Sequence, residues 1–214
     1  MNLMNTIVSA TIAAVVTLPT YAQTIDQSHS IRPFDELELS GCFDATLVPG
    51  TTNQVKITAT AHQQKMLRIT QKGDELKIKA TQNDLCSDGP VKVAITTSFA
   101  PTAKVELSLR GSGAIAVDVA TVRSLDVSLK GSGHATVKGK TKSCDLDIAG
   151  SGNIDAPDLA CDSADVEIKG SGNVKVASAR ELGVEIKGSG HVLYAGQPKL
   201  KKVEIKGSGK LERL

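Results

Sequence analysis

The chain has 214 residues, a formal net charge of +2, 2% aromatic residues, no tryptophan and four cysteines. A charge so near balance excludes a nucleic-acid binder steered by a strong basic field. The scarcity of aromatic rings fits a core built from aliphatic ladders and disfavours sugar sites built on aromatic platforms.

Residues 7–18 form an apolar stretch of about a dozen residues, short of the about 20 a membrane span needs. Thr20-Tyr21-Ala22 follows as a cleavage site, with Ala22 the last residue removed. Together these predict a secretory signal peptide over 1–22 and one exported domain over 23–214, in the periplasm or at the cell surface. The start, Met1-Asn2-Leu3-Met4-Asn5, departs from that pattern in having no Lys or Arg. No cysteine sits just after the apolar stretch, so no lipid anchor is expected. No second apolar run offers a transmembrane segment in the mature chain.

Residues 24–30 are polar and read as a loose lead-in. Residues 37–47 read as a diverged first turn, with Gly41 at a corner and Phe43 filling space beside it; Pro49-Gly50 ends it. Alternating runs predict strands at 55–58, 67–70, 76–79 and 91–95, with Lys72-Gly73-Asp74 as turn chemistry and 83–90 as a loop. No segment has helical periodicity. Residues 31–100 are thus irregular N-terminal turns, and 101–214 are regular.

The regular part repeats Gly-Ser-Gly at Gly111, Gly131, Gly150, Gly170, Gly188 and Gly207, with spacings of 20, 19, 20, 18 and 19 residues. A fixed period near 20 marks a solenoid. Around each triplet, apolar and polar residues alternate at period two, as in Val166-Glu167-Ile168-Lys169-Gly170-Ser171-Gly172-Asn173-Val174. Each copy reads as strand, glycine corner, strand, with both glycines on the inward face where no side chain fits. One turn alone cannot bury its apolar face; stacked at about 4.8 Å per rung, turns share one core. The prediction is an all-β, parallel β-solenoid with ~19-residue turns. The alternative reads each Lys-Gly-Ser-Gly as a tight hairpin, which would give an antiparallel meander or sandwich.

Outward positions stack as well. Three residues before the first glycine stand Ser108, Ser128, Asp147, Glu167, Glu185 and Glu204; one before it stand Arg110, Lys130, Ala149, Lys169, Lys187 and Lys206. An acidic column beside a basic one offsets like-charge repulsion between neighbouring strands. The serines and the residues two beyond them form a candidate outward binding column: Ser132, His134, Ser151, Asn153, Ser171, Asn173, Ser189 and His191. His134 and His191 are three turns apart, roughly 14 Å by strand spacing, which excludes a shared metal. The triplets carry no calcium-binding aspartates. No serine is singled out as a nucleophile, so neither catalytic nor cofactor-binding residues are assigned. Tyr194 is the one aromatic candidate for a sugar contact. The last turn has no cap in the sequence, and its unpaired edges could pair with another copy.

No two cysteines have the two-residue spacing of zinc or thioredoxin-type motifs. In an exported chain, Cys42, Cys86, Cys144 and Cys161 suggest disulfides, with Cys42–Cys86 and Cys144–Cys161 the favoured pairs. Cys144 lies six residues before its glycine and Cys161 nine before the next, an offset that works against the second pair.

Leu39-Ser40-Gly41-Cys42-Phe43-Asp44-Ala45-Thr46-Leu47-Val48-Pro49-Gly50, then Val55-Lys56-Ile57 and the repeated Gly-Ser-Gly-Asn-Val, resembles the head GIN domain family over about residues 31–212. These are exported bacterial proteins described as autotransporter adhesins. The resemblance implies a β-solenoid at the envelope or surface, and no catalytic residues. No autotransporter barrel follows the repeats, so another route to the surface is implied. Three functions compete: a non-enzymatic adhesion module for an envelope or surface ligand such as a glycan, a polysaccharide-binding or polysaccharide-cleaving β-helix enzyme, and a structural protein that self-associates through its ends.

Overall fold

The computed structural model describes residues 24–82, 85–177 and 180–214; the expected signal peptide and its cleavage site lie outside the described residues. The described strands form one network of 17 that curls into a β-solenoid of about five turns.

Two walls run along the stack. The first is parallel throughout and contains, in spatial order, β6 (Glu75–Ala80), β2 (Glu36–Gly41), β8 (Lys104–Gly111), β10 (Ser124–Gly131), the second halves of β11 (His134–Gly150) and β12 (Asn153–Gly170), β14 (Glu181–Gly188) and β16 (Lys199–Gly207). The second holds β7 (Val91–Thr97), β3 (Phe43–Pro49), β9 (Ala114–Thr121), the first halves of β11 and β12, β13 (Asn173–Val176), β15 (His191–Tyr194) and β17 (Lys210–Arg213). β11 and β12 are long because their pairing continues around the third side.

Glycine makes the corner between the walls. Gly41, Gly111, Gly131, Gly150, Gly170, Gly188 and Gly207 all have φ between 121° and 147°, a region that L side chains rarely adopt. The expectation of two inward glycines is corrected here. The second glycine of each inner triplet is buried, but the first is half-exposed and turns the chain by its backbone conformation. A Cβ on Gly170 would strike the carbonyl oxygen of Gly150 in the coil below, and one on Gly172 would lie 2.7 Å from Ile148 Cγ2. The coils therefore approach backbone to backbone, and the ladder runs unbroken through the corner: Ser171 N donates to Gly150 O (2.9 Å) and Asn173 N to Gly152 O (3.2 Å).

Parallel registers such as Gly131↔Gly150↔Gly170↔Gly188 rule out the antiparallel meander for the repeats. Among the described strands, antiparallel pairing is confined to the N-terminal end, in β4 (Gln54–Thr60) with β7, β1 (Thr24–Ser30) with β4, and the β5 (Leu67–Lys72)–β6 hairpin.

Three further expectations change. Residues 24–30 are not a loose lead-in: β1 pairs along its whole length with β4, and Asp26 accepts from Thr58 Oγ1 (2.6 Å) and lies 2.8 Å from Lys56 Nζ. Among the described residues there is one helix, α1 (Ala61–Lys65), too short to show a period; Thr60 caps it by accepting from Gln63 N at 3.1 Å. The β2–β3 coil comes first in sequence but not in space. β2 lies between β6 and β8, and β3 between β7 and β9. The chain lays one coil, leaves to build the end of the stack, and returns on the other side.

That excursion closes the N-terminal end of the core. Gln63 Nε2 donates to the carbonyls of Leu85 (3.1 Å) and Gly89 (2.8 Å), and Leu85 and Met66 are buried. Phe43 is fully buried under Gly41, and Phe34 meets Phe99 edge-on at 5.7 Å. Inside the repeats, Leu107, Leu109, Val127, Leu129, Leu146, Ile148, Val166, Ile168, Val184 and Ile186 form continuous buried ladders. At the opposite end no described residue covers the last coil: Val203 and Ile205 are 45% and 39% exposed, against 2% and 0% for Val184 and Ile186 one coil below.

Candidate functional site

Because side chains alternate across a strand, the first wall presents every second residue to solvent. Three outward columns result. Two are those expected from the sequence. The third, five residues before the corner glycine, is Glu36, Glu106, Asp126, Asp145, Asp165, Gly183 and Lys202, whose alignment the strand registers establish. In the sequence this column is marked by acids at constant offset and interrupted by Gly183 and Lys202.

The acidic columns converge in a shallow groove of about 390 Å³, lined by Asp126, Asp145, Asp147, Asp165, Glu167 and Glu185. Gly183 leaves room there, since a Cβ at that position would meet the Asp165 carboxylate. Burial, then the neighbouring Asp147, Asp145 and Glu106, push the Asp126 carboxyl up to about 6. Asp147 is raised by burial, then by Glu167 and Asp145, with Lys169 and Lys130 opposing. Asp145 is raised by burial and then by Asp165.

Where lysines reach the carboxylates the direction reverses. Hydrogen bonds from Lys187 and Lys202 hold Glu185 down at about 2. Lys169 lies 2.8 Å from Glu167 and holds it below its ordinary range. Near the capped end, burial pushes Glu38 up, but Lys79 (3.1 Å) and Lys77 (3.2 Å), with Arg110 at 3.4 Å, outweigh it and keep it low. The wall is thus ion-paired at both ends, with a crowded acidic centre between.

The predicted binding column is brought into line along the corner and second wall. Ser132, Ser151, Ser171 and Ser189 are exposed at the corner, and His134, Asn153, Asn173 and His191 are half-buried beside them in register. Asn173 Nδ2 donates to Asn153 Oδ1 at 2.9 Å, the start of an amide ladder. The hydroxyls of Ser189 and Ser208 are 2.9 Å apart. His134 Nε2 lies 3.3 Å from Thr136 Oγ1 and 3.5 Å from Asp155. His134 and His191 stay three coils apart, and among the described residues no group of three or more His, Cys, Asp or Glu is placed to hold a metal ion. Tyr194 is half-buried against the core, with Val176 and Arg213 as its strand neighbours.

Of the cysteines, Cys144 and Cys161 are bonded, with Cα atoms 6.2 Å apart. Their offset in register is taken up by the third-side corner: Thr141 pairs with Cys161 and Cys144 with Ala164, and Thr141 Oγ1 donates back to Ser143 O at 2.8 Å as the chain turns. Cys42 and Cys86 are thiols in hydrogen-bond contact, with no bond between them.

Residues 33–198 match the family described as putative auto-transporter adhesin, head GIN domain. The chain belongs to this family. Solved structures share its fold. A putative adhesin from Bacteroides fragilis is 18% identical, with a TM-score of 0.66, covering 90% of this chain and 97% of its own. A putative lipid binding protein from Parabacteroides distasonis is 22% identical, with a TM-score of 0.58, covering 89% and 96%. A putative adhesin from Parabacteroides merdae is 17% identical, with a TM-score of 0.55, covering 90% and 96%. No curated protein matches the chain.

Proposed function

We propose that this head GIN domain is an exported, non-enzymatic adhesion or binding module of the bacterial envelope, acting from the periplasm or the cell surface. The observation that carries this reading is the corner strip: exposed serines flanked by half-buried His and Asn side chains, repeated once per coil. Hydrogen-bonding groups in register at about 4.8 Å suit an extended polymer such as a glycan, engaged at several weak points at once. Export is supported by the 1–22 signal pattern and by the Cys144–Cys161 bond, which persists in oxidising compartments. No helix among the described residues is long and apolar enough to cross a membrane. The uncovered Val203 and Ile205 support association of copies through that end.

One observation favours a second reading, polysaccharide cleavage. Asp126, raised to about 6 among Asp147, Asp145 and Glu106, holds its proton closer to neutral pH than an ordinary aspartate, the direction in which a general acid is tuned. A binding screen of the exported protein against glycans and envelope extract separates the readings. Saturable binding without product, weakened several-fold by Asn153→Ala/Asn173→Ala, supports the module. Product release that Asp126→Asn abolishes would replace it with the enzyme. Absence of binding, with stable self-assembly, would leave a structural role.

A further inference from the structure

Cys42 and Cys86 meet where the first-laid coil touches the N-terminal cap. Cys42 is half-buried at the corner between β2 and β3, next to Gly41; Cys86 is exposed in the loop between β6 and β7. They line one small concavity of about 350 Å³ together with Ala80, Leu85 and Arg110. The backbone already fixes their approach. Val91 N donates to Cys42 O at 3.1 Å at the loop's end, and Gly89 N to Cys86 O at 3.0 Å within it. Gln63 grips the same loop from the other side through the carbonyls of Leu85 and Gly89. Both thiols are thus held by structure that does not depend on a bond between them.

We propose that Cys42 and Cys86 are a redox-labile clip that closes to a second disulfide, locks the cap onto the solenoid, and opens ahead of the buried Cys144–Cys161 bridge. The two bridges differ in what shields them. Cys144 and Cys161 are 0% and 6% exposed, whereas Cys86 faces solvent. An exposed disulfide is the more readily reduced of two in one chain. Closure takes two protons and two electrons from the thiols; with oxidised glutathione as oxidant, one molecule of it becomes two of glutathione. Although Cys86 is exposed as a residue, desolvation of its sulfur in the concavity, then the adjacent Cys42 thiol, raise it to about 11, so at neutral pH it is a scarce thiolate. Closure by glutathione therefore speeds up as pH rises through the range below that value.

What the clip controls is the cap. Open, the Leu85 loop rests on Gln63 and on one side-chain contact from Thr60 to Asp88 (3.3 Å). Closed, it ties residues 44 apart in sequence, which removes freedom from the unfolded chain.

The test uses the purified full chain equilibrated in glutathione buffers of graded potential, quenched with an alkylating reagent and mapped by mass. The expected result is a linked pair of peptides carrying Cys42 and Cys86, released at a less reducing potential than the Cys144–Cys161 pair. Mild reductant then lowers the melting temperature by roughly 5–10 °C. Cys86→Ser, a change at an exposed position, keeps the fold and abolishes that response. Alkylation of both Cys42 and Cys86 under fully oxidising buffer, with the other bridge intact, would overturn the proposal. So would a reductant response that persists in Cys86→Ser.

Discussion

Single atoms decide how closely the coils stack. Gly170 combines a φ of 133° with a Cβ direction aimed at the Gly150 carbonyl, so Gly170→Ala meets both backbone strain and a backbone neighbour that cannot yield. The expected loss is about 2–4 kcal/mol in urea unfolding. Gly73 also has positive φ, 60°, but has nothing within 4 Å of an added Cβ, so Gly73→Ala should cost only about 1 kcal/mol. Equal losses would show that strain alone, not stacking, selects glycine. Asp126 tests the electrostatics of the acidic centre. Its folded value, about 6, lies above the ordinary 3.8, so the native state binds more protons than the unfolded one between those values. Stability attributable to this group is therefore full below about pH 4 and lost as pH rises through 6. Asp126→Asn should stabilise the protein at pH 7 by about 1 kcal/mol after allowance for solvent screening, and leave it unchanged near pH 4. Urea midpoints at the two pH values check the sign.

At the scale of the element, the two ends of the stack differ in the same residue types. Ile186 and Ile205 occupy one register position in β14 and β16, yet are 0% and 39% exposed. Ile186→Ala should cost about 2–4 kcal/mol, and Ile205→Ala under about 1 kcal/mol, in the monomer. If Ile205→Ala proves as costly as Ile186→Ala, another copy covers that edge in solution. The pattern of alternation made the strands flanking each glycine corner legible, because period two and a glycine corner are both local signals; the third-side pairing of β11 with β12 was not legible. β1 was not legible: Thr24–Ser30 is polar but for Ile25, and its seven residues are exposed or half-buried. A strand that lies on an edge and buries almost nothing shows no alternation. α1 escaped for a related reason, since five residues span little more than one helical turn.

The whole molecule behaves as a stack whose coils contact mainly their neighbours. Deleting residues 171–188 removes 18 residues, one full period, and joins Gly170 to Ser189 so that both the corner and the inward face stay in register. The shortened protein should keep its β circular dichroism and unfold cooperatively at lower stability. Deleting residues 171–179 instead changes the residue following the corner and misaligns everything after it; it should fail to fold. Survival of both deletions, or of neither, would contradict a nearest-neighbour stack.

The amino-acid sequence by itself determined the coil. Inward Val, Leu and Ile, outward charge and a glycine corner are all encoded within about 20 residues, and hydrophobic burial requires identical coils to stack. It also contained the alignment of the serine and His/Asn columns, because a residue at constant offset from a repeated corner must align with its counterparts. Order at the capped end was decided only by tertiary structure. β2 pairs with β6 on one side and β8 on the other, a choice made by edges that lie far apart in the chain and carry no local mark. The same holds for the chemistry of the site. Asp126 is an ordinary aspartate in the sequence; its raised carboxyl follows from burial and from Asp147, Asp145 and Glu106, which only folding gathers around it. Cys144 and Cys161 looked out of register along straight strands, and a corner of the coil brings them together.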